Sequence, residues 1–213
     1  MKLNRILLST LVITLVLGGG IIAPAEAGPP GFAPVFDFLG NQQPGTSMLA
    51  RTRNGVSVSI GTSGTGIFPG FAYTFWCVVF NEPEDCITPD GQGGTMCGEE
   101  DVFVDPEPAM VDVLYCGGNV TGNDGTLHMA GHRKRGDNSG SVFDALGAPS
   151  PGLVYPLTAE VHLVPRSHGP KVPDQMPAQI HDFFGGCVDF LDPPEIADEV
   201  GECSDVQFSI HLP

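Results

Sequence analysis

Positive charge is what this sequence has least of. Lysine and arginine together number 9 in 213 residues, against 25 aspartates and glutamates, for a formal net charge of -16. Neutralising a phosphate backbone takes a basic surface, and a chain this acidic repels a polyanion, which excludes nucleic-acid binding. Long helices also have no place here, because 29 glycines and 20 prolines are spread through the chain without a triplet period. The missing period rules out collagen. In a helix interior each glycine costs about 1 kcal/mol and each proline about 3 kcal/mol, so extended helices are excluded as well. No C-x-x-C pair and no G-x-S-x-G elbow occurs, and residues 61–66 fit neither a dinucleotide fingerprint nor a phosphate loop. No motif requires an enzyme, and the expectation leans away from one.

One long apolar run is present, residues 6–22, with Lys2 and Arg5 before it and Ala25-Glu26-Ala27 after it. That is the layout of a secretory signal peptide, residues 1–27, cut after Ala27. Three consecutive glycines at 18–20 and Pro24 interrupt the run, which argues against a retained anchor. No later stretch is long and apolar enough to span a bilayer, so a secreted or periplasmic product is expected. Cleavage removes Lys2, Arg5 and Glu26 and leaves 186 residues with 7 bases and 24 acids, a charge of -17. Residues 28–45, rich in Gly, Pro and Gln, read as an extended arm, and residues 46–213 as a single domain.

All six cysteines, Cys77, Cys86, Cys97, Cys116, Cys187 and Cys203, follow the export segment, and an even count there reads as disulfides rather than zinc. Val56-Ser57-Val58-Ser59-Ile60 alternates with period two. Residues 71–80 are almost unbroken aromatic and β-branched side chains, as in a strand covered on both faces. If residues 110–116 fold back on that strand with Phe80 opposite Val113, Cys77 falls opposite Cys116. Cys86–Cys97 then staples the acidic loop that follows, and Cys187–Cys203 the last one. Short strands at 119–121 and 126–130 flank a turn at Asn123-Asp124-Gly125. Residues 159–164 alternate with Ala159, Val161 and Leu163 inward, and 206–211 with Val206, Phe208 and Ile210 inward. The fold class that follows is all-β, an antiparallel β-sandwich of immunoglobulin-like or jelly-roll-like type with long stapled loops.

Alternation places His128 and His132 on one strand face, Glu160 and His162 on another, and His168 in a turn nearby. Most of the histidines are thus expected to point away from the core. Were those strands neighbours, His128, His132, Glu160, His162 and His168 could converge on copper or zinc. Acids crowd residues 189–205, but no EF-hand or nonapeptide spacing is present, so calcium is the weaker choice.

Phe75-Trp76, Val78-Val79-Phe80-Asn81, Ala159-Glu160-Val161-His162-Leu163-Val164 with Arg166-Ser167-His168-Gly169-Pro170, and Gly185-Gly186-Cys187 with Asp205-Val206-Gln207-Phe208-Ser209 carry a resemblance. They resemble a family of secreted bacterial proteins of unassigned function, over the chain from about Phe75 onward. The His168-Gly169-Pro170 element in an exported β-rich chain is also similar to CHRD (chordin-like) domains. The resemblance implies export and β structure without an activity. The expected function is a non-enzymatic module that binds a protein or envelope partner. A metal-binding protein or metal-dependent enzyme built on the histidines is the alternative.

Overall fold

The computed structural model describes residues 31–88, 97–186 and 203–213. The signal segment and Cys187 lie outside these. Among these residues nine strands carry the fold: β1 (Phe32–Asp37), β2 (Gln42–Thr52), β3 (Gly55–Thr62), β4 (Phe71–Phe80), β5 (Val111–Val120), β6 (Leu127–Lys134), β7 (Glu160–Pro170), β8 (Ser204–Asp205) and β9 (Gln207–His211). Three short helices, α1 (Glu99–Phe103), α2 (Val142–Ala145) and α3 (Met176–Gln179), lie in the connections. Among the described residues no helix is long and apolar enough to cross a membrane.

The strands follow the order β5-β4-β7-β9-β1-β2-β3-β6, with β8 added beside β7. Every ladder is antiparallel, as the all-β expectation requires. Two sheets are joined through β9, whose Gln207 and Phe208 pair with β1 while Ser209, Ile210 and His211 pair with β7. The free edges, β5 and β6, also meet, so the sheet is nearly closed. No ladder joins those two strands among the described residues, and side chains bridge them instead. Asn119 Nδ2 donates to the His128 carbonyl and Arg133 Nη1 to the Tyr115 carbonyl, each at 2.8 Å. The approach is close enough that a Cβ on Gly131 would stand 1.8 Å from the Cys116 carbonyl oxygen. The turn at residues 123–125 therefore carries the chain from one sheet to the other, and the strand expected at 119–121 is the end of β5.

The main core lies between the sheets. Val35, Leu49, Val58 and Ile60 face Tyr73, Phe75, Val79, Val161 and Leu163, all at most 4% exposed. Burial of such side chains contributes about 1.5–3 kcal/mol each. The opposite face of β4 is covered too: Trp76 and Phe80 pack with Cys86, Cys97, Val102, Val111 and Phe143. That second layer explains why β4 reads as an unbroken apolar run.

Three expectations need correction. Residues 28–45 are not an arm throughout, because they hold β1 and the start of β2. In β1 Ala33, Val35 and Asp37 are buried while Phe32, Pro34 and Phe36 face outward. Cys77 and Cys116 are bridged, yet the strand register is two residues from the expected one. Phe80 pairs with Val111 and Cys77 with Leu114. A bulge between Phe75 and Trp76 leaves Cys116 as the extra residue, since Trp76 faces Tyr115 and Phe75 faces Gly117. In β9 the alternation is inverted: Gln207, Ser209 and His211 are buried and Phe208 and Ile210 are half-buried. The Cys86–Cys97 bridge forms as expected. Cys203 is disulfide-bonded, and its expected partner Cys187 lies outside the described residues.

Candidate functional site

A chain this rich in glycine and proline must fix its loops by other means than regular ladders, and buried polar side chains do so here. Asn81, 2% exposed, donates to the Met110 and Gly152 carbonyls at 2.8 and 2.9 Å and accepts from the Val154 and Tyr155 amides at 2.7 and 3.2 Å. Asp112, fully buried, accepts from the Ser141 and Ser150 hydroxyls and the Gly152 amide. Asp101 holds the Cys86–Cys97 loop by accepting from the Ile87 and Gly98 amides and the Thr88 hydroxyl. Gln179 accepts from the Val172 amide and donates to the His168 and Pro170 carbonyls. Arg51 donates to four carbonyls, those of Pro156, Ala159, His211 and Leu212. Each of these groups ties separate stretches of chain together.

Two histidines expected at the surface belong to the same set. His168 is fully buried, with Nδ1 2.7 Å from the Gly185 carbonyl and Nε2 2.7 Å from the Thr74 hydroxyl. A carbonyl only accepts, so Nδ1 carries the proton. Thr74 in turn donates to Nε2 and accepts from Trp76 Nε1 at 2.7 Å. Burial lowers the His168 pKa from 6.5 to about 4, helped by the nearby Arg166 and opposed by the Gly185 hydrogen bond. His211 Nε2 lies 2.8 Å from Ser47 Oγ, whose own proton goes to the Ala33 carbonyl. Burial first, then Arg51 and His162, bring His211 to about 4 as well. Both are neutral imidazoles built into the interior.

The five expected metal ligands separate. His128 and His132 are exposed on β6, which pairs with β3. Glu160, His162 and His168 are on β7, between β4 and β9. Only Glu160 and His162 are seen to touch, with Nε2 to Oε1 at 2.6 Å; Glu160 is 3% exposed and the imidazole lies 4.9 Å from the Phe80 ring. Among the described residues no three of His, Cys, Asp and Glu are grouped so as to hold a metal ion. The expected convergence fails because β6 and β7 sit in different sheets, an order that alternation along single strands cannot give.

What sequence reasoning missed is a groove on the outer face of β1-β2-β3-β6, about 380 Å³ in volume. Strand pairing builds it in rows. Ala33, Ser47, Ile60 and Met129 form one row and point into the core, each at most 7% exposed. The rows on either side point out: Phe32-Met48-Ser59-Ala130 and Pro34-Thr46-Gly61-His128. Phe32, 48% exposed, stands at one side, and Ser59, Gly61 and Ala130 keep the floor low. His128 forms the other side, its ring over Gly61, where a Cβ would come within 3.1 Å of Nδ1. In a chain with 25 acids, strands β2, β3 and β6 contain none. The period-two pattern of β3 was the only signal of this face in the sequence.

No family model, no curated protein and no solved structure matches the chain, which lends support to neither of the resemblances drawn from its segments.

Proposed function

We propose that this protein is an exported, non-catalytic binding module and that the outer face of β1-β2-β3-β6 is its binding surface. The observation that carries the reading is the carboxylate-free groove floored by Ser59, Gly61 and Ala130 between Phe32 and His128. Asn81, Gln179 and Arg51, by contrast, are taken up in holding loop backbone. Cys77–Cys116 and Cys86–Cys97 are bridged and Cys203 is disulfide-bonded too. Bridges of this kind persist in an oxidising compartment, which agrees with a secreted or periplasmic location.

The test is saturable binding of the purified protein to a panel of surfaces: neutral polysaccharide, peptidoglycan, phosphatidylcholine vesicles and gelatin. Binding to at least one surface is expected, lost in Ser59→Trp and Ala130→Trp, which fill the groove from solvent-facing positions. No saturable binding to any surface, or binding that both substitutions leave intact, would overturn the proposal.

A further inference from the structure

The groove also says what kind of ligand suits it. No Asp, Glu, Lys or Arg is among its lining residues: Thr46 and Ser59 bring hydroxyls, His128 an imidazole, Phe32 an aromatic ring and Met48 a thioether. Side chains of this kind donate and accept single hydrogen bonds over a shallow surface, while an exposed ring offers a flat apolar platform. The face spans three strand spacings, about 14 Å at ~4.8 Å each, and the volume lies at the lower end of small-ligand sites, about 300–1,000 Å³. Charge then discriminates between classes. A polyanion is repelled by the net charge of -16. A cationic partner is attracted to the chain's acids, yet among the described residues no carboxylate lines this groove. A neutral polymer dense in hydroxyl groups, with apolar C–H faces between them, matches the hydroxyls, the imidazole and the ring that line the groove.

We infer that the face binds a neutral polysaccharide, one sugar ring stacking on Phe32 and neighbouring hydroxyls bonding to Thr46, Ser59 and His128. This rests on the binding-face reading above and deepens it. Aromatic contact continues along the same side of the molecule, where the Phe208 ring lies 6.0 Å from Phe36 and 5.3 Å from Phe38. A longer chain leaving the groove over β1 would meet those rings next.

Native affinity electrophoresis tests the inference with the whole protein. The gels contain hydroxyethylcellulose, soluble starch or galactomannan, with carboxymethylcellulose as the charged counterpart of the first. Retardation is expected in at least one neutral polymer and not in carboxymethylcellulose. Phe32→Ala should weaken it about fivefold, the loss of one ring contact. His128→Ala should weaken it as well, whereas Phe103→Ala, an exposed aromatic on α1 away from the groove, should not. No retardation in any neutral polymer, or retardation that Phe32→Ala and His128→Ala leave unchanged, overturns the inference. If Ser59→Trp still abolishes binding to gelatin or vesicles in that event, the binding face stands and only the ligand class is wrong. If no surface binds, both readings fall.

Discussion

Asn81→Ala should be among the most damaging single substitutions outside the main core. The residue follows β4 directly, is 2% exposed, and makes four hydrogen bonds to two separate segments, at Met110 and at residues 152–155. Truncation strands two carbonyls and two amides. The Gly152 carbonyl lies at a buried contact, and the other three contacts are partly buried. An unsatisfied buried group costs about 1–3 kcal/mol and a partly wetted one less, so the expected loss is about 3–4 kcal/mol. Asn81→Asp changes a single nitrogen to oxygen and separates polar geometry from packing. It keeps both acceptor contacts to the 154–155 amides but sets a carboxylate oxygen against the Met110 and Gly152 carbonyls. Its penalty should therefore be larger at pH 7.5 than at pH 4.5, where a protonated acid can donate to one of them. Urea unfolding with the disulfides intact measures both effects. An Asn81→Ala variant within 1 kcal/mol of the parent would refute the claim that this side chain holds the loops.

Three more outcomes follow from the same structure. Replacing the Cys77–Cys116 pair with alanines releases a 39-residue separation and should cost about 4 kcal/mol. The 11-residue Cys86–Cys97 pair should cost about 3 kcal/mol, and the reverse order in urea unfolding would contradict the loop-entropy account. Gly131→Ala places a Cβ 1.8 Å from the Cys116 carbonyl oxygen, against backbone that cannot swing away, so it should part the β5/β6 seam. Faster amide exchange at the β6 end of the sheet would report this, and unchanged exchange would show that the strands do not approach so closely. Acid should weaken the fold through His168 and His211. Each has its pKa lowered from 6.5 unfolded to about 4 folded, so the unfolded chain binds more protons between those values. Stability is full above about pH 6.5 and falls as pH drops toward 4, by about 1.4 kcal/mol per pH unit for His168. In His168→Gln the slope of stability against pH in that window should be shallower by this amount, and an unchanged slope would count against the assignment.

Much of the framework was legible because strand periodicity and side-chain volume are local. Residues 71–80 announce a strand with two covered faces, and Ala159, Val161 and Leu163 are each fully buried as their alternation requires. The cysteine pairing was legible for a coarser reason, since a bridge tolerates a two-residue error in register when a bulge carries Cys116 into place. Alternation gives a period but not a side, and β9 shows why. On its outer side Phe208 packs near Phe36 and Phe38. Gln207 instead faces in, accepting from Thr62 Oγ1 and donating to the Ser63 and Thr65 carbonyls. β1 was hidden because Pro34 and the flanking glutamines resemble a linker, while its buried residues, Ala33 and Val35, are small. Of the groove only the alternation of β3 was legible. The groove depends on strands β1, β2, β3 and β6 lying side by side, and its distinguishing feature is an absence of acids that is visible only once those strands are known to be neighbours.

Under the proposed binding face, the imidazoles of the interior are structural and the exposed His128 on the groove meets the ligand. Ring-nitrogen NMR across pH 4–8, with and without neutral polysaccharide and with and without zinc, tests it directly. His168 should hold its proton on Nδ1 and stay neutral down to about pH 4, indifferent to both additives, while His128 shifts with the polysaccharide. A His168 ring that titrates near 6.5, or zinc shifting His128, His162 and His168 together, would contradict it.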